Sequence, residues 1–191
     1  DLNEIKRKAL ATSASDSYLV YTAGAAKDMA ANTVVPRADG SALVCANSEY
    51  TADSTPPTLD TYSLNMATGE LILTFSETIK ASTVNPLVYT IQSNVGGSAK
   101  RTLLGGSASS TDSTIITITL DVADLNVVKK DTALAASEAT TFVTVTAAGA
   151  KDMTGTNSLT AIGATAGKAV ETGAYTADNV APTVSGFTVS I

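Results

Sequence analysis

Carboxylates are the side chains through which this chain could do chemistry. Its 191 residues hold 18 Asp and Glu against 12 Lys and Arg, no histidine, no tryptophan and one cysteine, Cys45. Lack of histidine excludes together the commonest general base, the Ser–His and Cys–His nucleophile pairs and any histidine metal site. One cysteine forms no intrachain disulfide, so Cys45 reads as a small apolar core residue. What is left is oxygen-donor chemistry. Clustered carboxylates repel one another unless a cation lies among them, and Ca²⁺ takes about six to eight oxygens from carboxylates, carbonyls and water. The candidates are Asp53, Glu77 and Asp152, with Asp28 and Asp178 as counterparts elsewhere in the chain. Paired acids also hydrolyse glycosides, but nothing here marks the cleft such a reaction needs. Gly96-Gly97 and Gly105-Gly106 lack the Lys-Ser/Thr that follows a phosphate loop, so both read as turns. The expectation is that the protein is not an enzyme.

The formal charge of −6 argues against nucleic acid or an anionic membrane as partner. No apolar run approaches the ~18 residues of a membrane span, so this segment is not expected to insert, and the opening Asp1 to Lys8 lacks the apolar core of a signal peptide. Apolar residues make up 44%, enough for a globular core. Abundant Thr, Ser, Ala and Val with little charge is typical of secreted β-sandwich repeats, by compositional association.

Self-similarity sets the organisation. Tyr50-Thr51-Ala52-Asp53 returns 125 residues later as Tyr175-Thr176-Ala177-Asp178, and Pro57-Thr58 as Pro182-Thr183. Ala26-Lys27-Asp28-Met29 returns after 124 residues as Ala150-Lys151-Asp152-Met153, and Asp1-Leu2-Asn3 after 123 as Asp124-Leu125-Asn126. Each slip of one marks an insertion. The second falls between Met153 and Asn157, which predicts a loop there. A period of this length has the size of an independent domain rather than of a solenoid unit. The expected division is 1–52, the end of a preceding repeat; 53–178, a complete repeat; and 179–191, the first strand of a following one. Residues 1–52 are not expected to fold alone, because they bury too little apolar surface to offset chain entropy.

Period-two alternation places the strands of the complete repeat. Tyr62, Leu64 and Met66 mark strand A, with Phe187, Val189 and Ile191 in the same spacing one repeat later; Leu71, Leu73 and Phe75 mark B after a turn at Gly69. Leu87, Tyr89 and Ile91 mark C, Arg101 to Leu104 D, Ile116 to Leu120 E, Phe142 to Thr146 F, and G lies within Leu159 to Val170. Tyr18, Tyr62, Tyr89 and Phe142 are read as core-facing. Asp121 to Lys130 reads as a helix between E and F, with Asp121 as cap, Asp124 in the first turn, Leu125 and Val128 on one face and lysines at the end. Seven short strands with turn signals predict an all-β, immunoglobulin-like Greek-key sandwich, repeated in tandem.

Asp53-Ser54-Thr55-Pro56-Pro57, Leu71-Ile72-Leu73-Thr74-Phe75-Ser76-Glu77 and Lys151-Asp152-Met153 with Gly155 and Asn157 nearby resemble the bacterial Ig-like (Big-type, cadherin-like) tandem repeats. The resemblance implies an extracellular or cell-surface location, in large surface, adhesion or fibre proteins. The usual Asp-x-x-Gly-Asn loop is imperfect, since Asp28 precedes Ala30-Ala31-Asn32 and Thr156 separates Gly155 from Asn157. In a seven-strand sandwich the start of A, the end of B and the F–G loop share one pole. That gathers Asp53, Glu77 and Asp152 at the side facing the preceding repeat. Two readings follow: calcium at the joint between repeats, or a turn cap at Asp53, a solvated strand end at Glu77 and a loop-stabilising Asp152. The expected function is a structural segment of an extracellular stalk, fibre or filament, with Pro56-Pro57 stiffening the linker and neighbouring repeats or copies of the same protein as partners. The alternative is an adhesive or carbohydrate-binding module with glycans as partners, against which the aromatic content of 5% counts.

Overall fold

The computed structural model describes residues 2–190; Asp1 and Ile191, which take part in the repeat pattern, lie outside the described residues. The chain is mostly β-sheet. Its elements are α1 (Leu2–Arg7), β1 (Tyr18–Leu19), β2 (Leu43–Val44), β3 (Leu59–Asn65), β4 (Glu70–Ile79), β5 (Tyr89–Gln92), β6 (Lys100–Thr102), β7 (Ser107–Ala108), β8 (Ser113–Thr119), α2 (Val122–Lys130), β9 (Phe142–Val145), β10 (Lys168–Ala169) and β11 (Tyr175–Thr176). Among the described residues no helix is long and apolar enough to cross a membrane.

Two sheets share one core. The first has the order β11-β3-β4-β8-β7 and the second β10-β9-β5-β6. Strand alternation aligns the apolar side chains in rows: Tyr62 opposes Leu73 and Leu73 opposes Ile116, while Leu64 opposes Leu71 and Leu71 opposes Ile118. From the other sheet come Tyr89 opposite Val145 and Ile91 opposite Val143. All of these side chains are buried, each worth roughly 1.5–3 kcal/mol of transfer free energy for a residue of that size. The Tyr62 hydroxyl crosses between sheets and donates to the carbonyls of Thr141 and Lys168, at 3.0 and 3.2 Å. The turn between β3 and β4 needs glycine: Gly69 has φ +75°, and a Cβ there would lie 3.0 Å from Leu125 of α2.

Four strand expectations change. The stretch holding Phe187 and Val189, expected as a strand, pairs with nothing among the described residues and both side chains are exposed. Arg101–Thr102 belongs to β6, which pairs antiparallel with β5 in the second sheet rather than lying beside strand E. A short hairpin closed by Ser93 N–H to Ala99 C=O holds it there, and Leu103 enters the core. Gly106, at φ +105°, then turns the chain across to the first sheet, where Ser107–Ala108 occupies the place beside β8. Leu87 is exposed in a 3₁₀ turn that Pro86 opens and Asn85 caps. Finally, β11 adds a strand parallel to β3 that the alternation did not mark. The helix stands where expected, with the Asp121 side chain accepting from Ala123 N–H at 2.9 Å. The Met153–Asn157 stretch is a loop, closed by Asp152 N–H to Asn157 C=O.

Residues 2–52 carry most of the elements of 122–176 without the sheet that covers them; β11 has no strand counterpart at Tyr50–Thr51. The β1–β2 pair, Tyr18 opposite Val44, matches β9–β10, Phe142 opposite Ala169. The 3₁₀ turns Ala14–Asp16, Ala23–Ala25 and Asp39–Ser41 match Glu138–Thr140, Ala147–Gly149 and Ala164–Ala166. Even the tie between linker and helix connection recurs: Tyr50 Oη donates to Ala11 C=O, and Tyr175 Oη to Ala135 C=O. The packing differs. Val143 is buried between sheets, whereas its counterpart Leu19 is 58% exposed, because β1 has no neighbour equivalent to β5. The same reason leaves Cys45 only half-buried. Tyr18 is exposed and its counterpart Phe142 is only half-buried outside the core, because both alternate with the inward-facing Leu19 and Val143; neither faces the core as expected. The buried apolar cluster of the two sheets runs from Leu59 to Val170 and takes nothing from 2–52.

Candidate functional site

The pole at the end of β4 is built from three separate chain segments. β3 begins at Leu59, opposite Phe75, so β4 runs past its partner and the Glu77–Thr78 backbone has an open edge. The far end of β4 bridges the 151–158 loop, Ile79 opposite Asp152, and Lys80 N–H donates to Lys151 C=O. The linker 53–58 lies along the same side, held by Thr160 N–H to Pro57 C=O at 2.9 Å and by Asn157 Nδ2–H to Asp53 C=O at 3.1 Å. One oxygen from each of Asp53, Glu77 and Asp152 thereby lies within 4.8 Å of the others. These are the three residues expected to meet.

A fourth residue lies among them. The Lys6 ammonium of α1 is 2.7 Å from Asp53 Oδ2 and donates to Glu77 Oε2 at 2.6 Å. Asp53 Oδ2 is buried and makes no directed hydrogen bond, so Lys6 serves it as counter-charge. Three helical positions earlier, Asn3 lies on the same face of α1 and seals the open strand edge. Its Oδ1 accepts from Thr78 N–H at 3.2 Å and its C=O accepts from Thr78 Oγ1 at 2.9 Å.

Each carboxylate is held differently. Asp152 is fully buried, and its oxygens accept from Thr154 Oγ1, Gly155 N–H and Asn157 Nδ2. That is the loop-stabilising role. Asp53 accepts from Thr55 N–H at 3.1 Å as a turn residue, and close contact with the Lys6 ammonium holds its carboxyl below the usual range. Glu77 is not a solvated strand end. It is 5% exposed, and burial pushes its carboxyl above the usual range despite Lys6. For Lys6 burial works against the charge, but Asp53 and Glu77 outweigh it and raise its pKa. Three carboxylates against one ammonium leave a formal excess of negative charge.

The counterparts behave as the repeat demands. Asp28 closes the equivalent loop, accepting from Asn32 N–H and Nδ2–H, but is exposed because no β4 lies beside it. Asp178 pairs with Lys129 at 2.9 Å. Lys129 stands to Asp178 as Lys6 stands to Asp53.

In the sequence Asn3 stands out only as part of the repeated Asp1-Leu2-Asn3, and Lys6 does not stand out. The signal that identifies them is their recurrence as Asn126 and Lys129 at the 123-residue offset. Also missed was Asp124, which is buried and accepts from Arg101 Nε at 2.7 Å and from the N–H groups of Leu104 and Gly105. It locks α2 to the turn after β6 and has no access to a ligand.

No family model, no curated protein and no solved structure matches this chain.

Proposed function

We propose that this chain is a segment of a tandem array of immunoglobulin-like sandwich repeats, serving as a structural stalk, fibre or filament outside the cell rather than as an enzyme. Strand order supports the Greek-key reading. β3, β4, β8 and β7 stand as A, B, E and D, and β10, β9, β5 and β6 as G, F, C and an added strand beside C. In this reading 53–178 is one complete repeat, 1–52 the end of another and 179–191 the start of a third, of the kind the Big-type resemblance implies.

The observation that carries the reading is the joint. The helix of one repeat places Asn3 and Lys6 on Thr78, Glu77 and Asp53 of the next, and the Lys6–Asp53 pair recurs as Lys129–Asp178. The half-buried polar contact of Asn3 and Lys6 fixes the angle between neighbours, which is what a rod needs and a flexible tether lacks. Pro56-Pro57 stiffens the same linker. The test is electron microscopy of the native assembly, with glycan arrays on the whole chain. A fibre or ordered surface layer with no glycan binding is the expected result; selective glycan binding would replace the spacer with the adhesive module.

Calcium is a second reading of the same pole, favoured by the convergence of Asp53, Glu77 and Asp152. The oxygens fit a hard cation, but Lys6 already contacts two of the carboxylates and Asp152 is committed to its loop. Calcium would therefore have to displace Lys6 rather than enter a vacant cage. Melting with calcium and with chelator separates the two occupants.

A further inference from the structure

We infer that the face of α2 carrying Asn126 and Lys129, together with Asp178, is the seat for the Glu77–Thr78–Asp152 pole of another copy of this repeat. The inference rests on the tandem-repeat reading and names the surface by which the complete repeat would hold its next neighbour.

The template is the joint already in the chain. On α1, Asn3 and Lys6 are spaced three apart, lie on one face and are half-buried against β4. On α2, Asn126 and Lys129 have the same spacing and are exposed. Half of the socket is already assembled. Lys129 Nζ lies 2.9 Å from Asp178 Oδ2, against 2.7 Å for Lys6 and Asp53. The two aspartates make the same turn: Asp53 Oδ1 accepts from Thr55 N–H, and Asp178 Oδ1 from Val180 N–H. What Lys129 and Asn126 lack, relative to Lys6 and Asn3, is a carboxylate at the place of Glu77 and a strand end at the place of Thr78.

Chemistry selects the occupant. Asn126 offers an amide oxygen and a nearby backbone carbonyl for an open strand edge with a following hydroxyl, and Lys129 offers one ammonium for a second, buried carboxylate. The Glu-Thr end of β4 supplies both in one dipeptide, and the chain leaves Asp178 through the same Asp turn as it leaves Asp53.

The experiment fuses residues 1–178 to a second copy of 54–178, so that Asp178 takes the place of Asp53, and measures small-angle scattering. Lys129→Glu sets four carboxylates together without an ammonium and should raise the radius of gyration, whereas Glu77→Lys in the second copy replaces a carboxylate by an ammonium. Combined, they should restore the radius, since the exchanged lysine again meets Asp178 and the second copy's Asp152. Restoration also shows that Lys129→Glu did not simply unfold the chain. Lys6→Glu serves as reference in the same fusion. If Lys6→Glu loosens the first joint while Lys129→Glu is silent at the second, the seat on α2 is overturned and the repeat reading stands. If both are silent, the joint itself fails, and the proposed function with it.

Discussion

Replacing Lys6 by Met isolates the charge at the pole, because methionine keeps an unbranched apolar stem of similar reach. Glu77 and Asp152 stay buried, and one oxygen of each of the three carboxylates still lies within 4.8 Å of the others. At an effective dielectric of about 20, each such contact between full charges is worth roughly 3–4 kcal/mol. That gross repulsion is not what folding would lose, since Glu77 can take a proton instead. Protonating a carboxyl of ordinary pKa ~4.3 at pH 7 costs about 3.7 kcal/mol, and this caps the penalty through Glu77. The floor is the ~1 kcal/mol of an exposed ion pair. The expected loss at pH 7 is therefore about 2–3 kcal/mol, or roughly 4–12 °C in melting temperature for a chain of this size. Because proton uptake relieves it, the cap shrinks at pH 5 to about 1 kcal/mol. The other route of relief is for α1 to lift from β4 and let water reach the carboxylates. Either way residues 2–52 become easier to digest. The assay is thermal melting at pH 7 and pH 5 with limited proteolysis. An unchanged melt with 2–52 still protected would refute the reasoning, and an equal drop at both pH values would assign the effect to packing rather than charge.

Four further outcomes follow. Because Lys6 has a folded pKa raised above its ordinary ~10.4, its contribution is fully present below that value and is lost as pH rises through the raised one; scattering between pH 9 and 12 should show the joint opening only at the alkaline end. Asn3→Ala removes the acceptor for the buried Thr78 N–H and should weaken docking by about 1–2 kcal/mol, seen as roughly ten-fold faster exchange of the Thr78 amide; unchanged exchange would mean that the strand edge is sealed otherwise. Chelator should leave the melting of the wild-type chain unchanged if Lys6 is the resident cation, whereas calcium should stabilise Lys6→Met, by about 2.7 kcal/mol at a hundred times its dissociation constant; chelator-sensitive wild type would favour the metal reading. Asp124→Ala strands the Arg101 guanidinium and two backbone donors, and should cost about 3–5 kcal/mol with no effect specific to the joint, measurable by urea denaturation.

Sequence alone determined the features that depend on local periodicity and on copying. Alternation from Tyr62 to Phe75 and from Ile116 to Leu120 marks strands with one face inward, since side chains on a pleated strand point to opposite sides in turn. The repeated Asp, Lys and Tyr positions aligned two copies, and strand directions then gathered Asp53, Glu77 and Asp152 at one pole. Tertiary structure decided what periodicity does not encode. Arg101–Thr102 has the same local pattern on either sheet, and only the Ser93–Ala99 hairpin and the reversal at Gly106 assign it to β5. Leu19 repeats the core position of Val143 but is exposed, because burial belongs to the covering sheet and not to the residue. Above all, the cation among the carboxylates is a lysine 47 residues before Asp53 in the chain. A lysine at a helix end suits the helix dipole in any setting, so its sequence position explains it fully. That it also serves Asp53 and Glu77 as counter-charge follows only from bringing α1 onto the open edge of β4, where a charge without a partner would carry a desolvation cost.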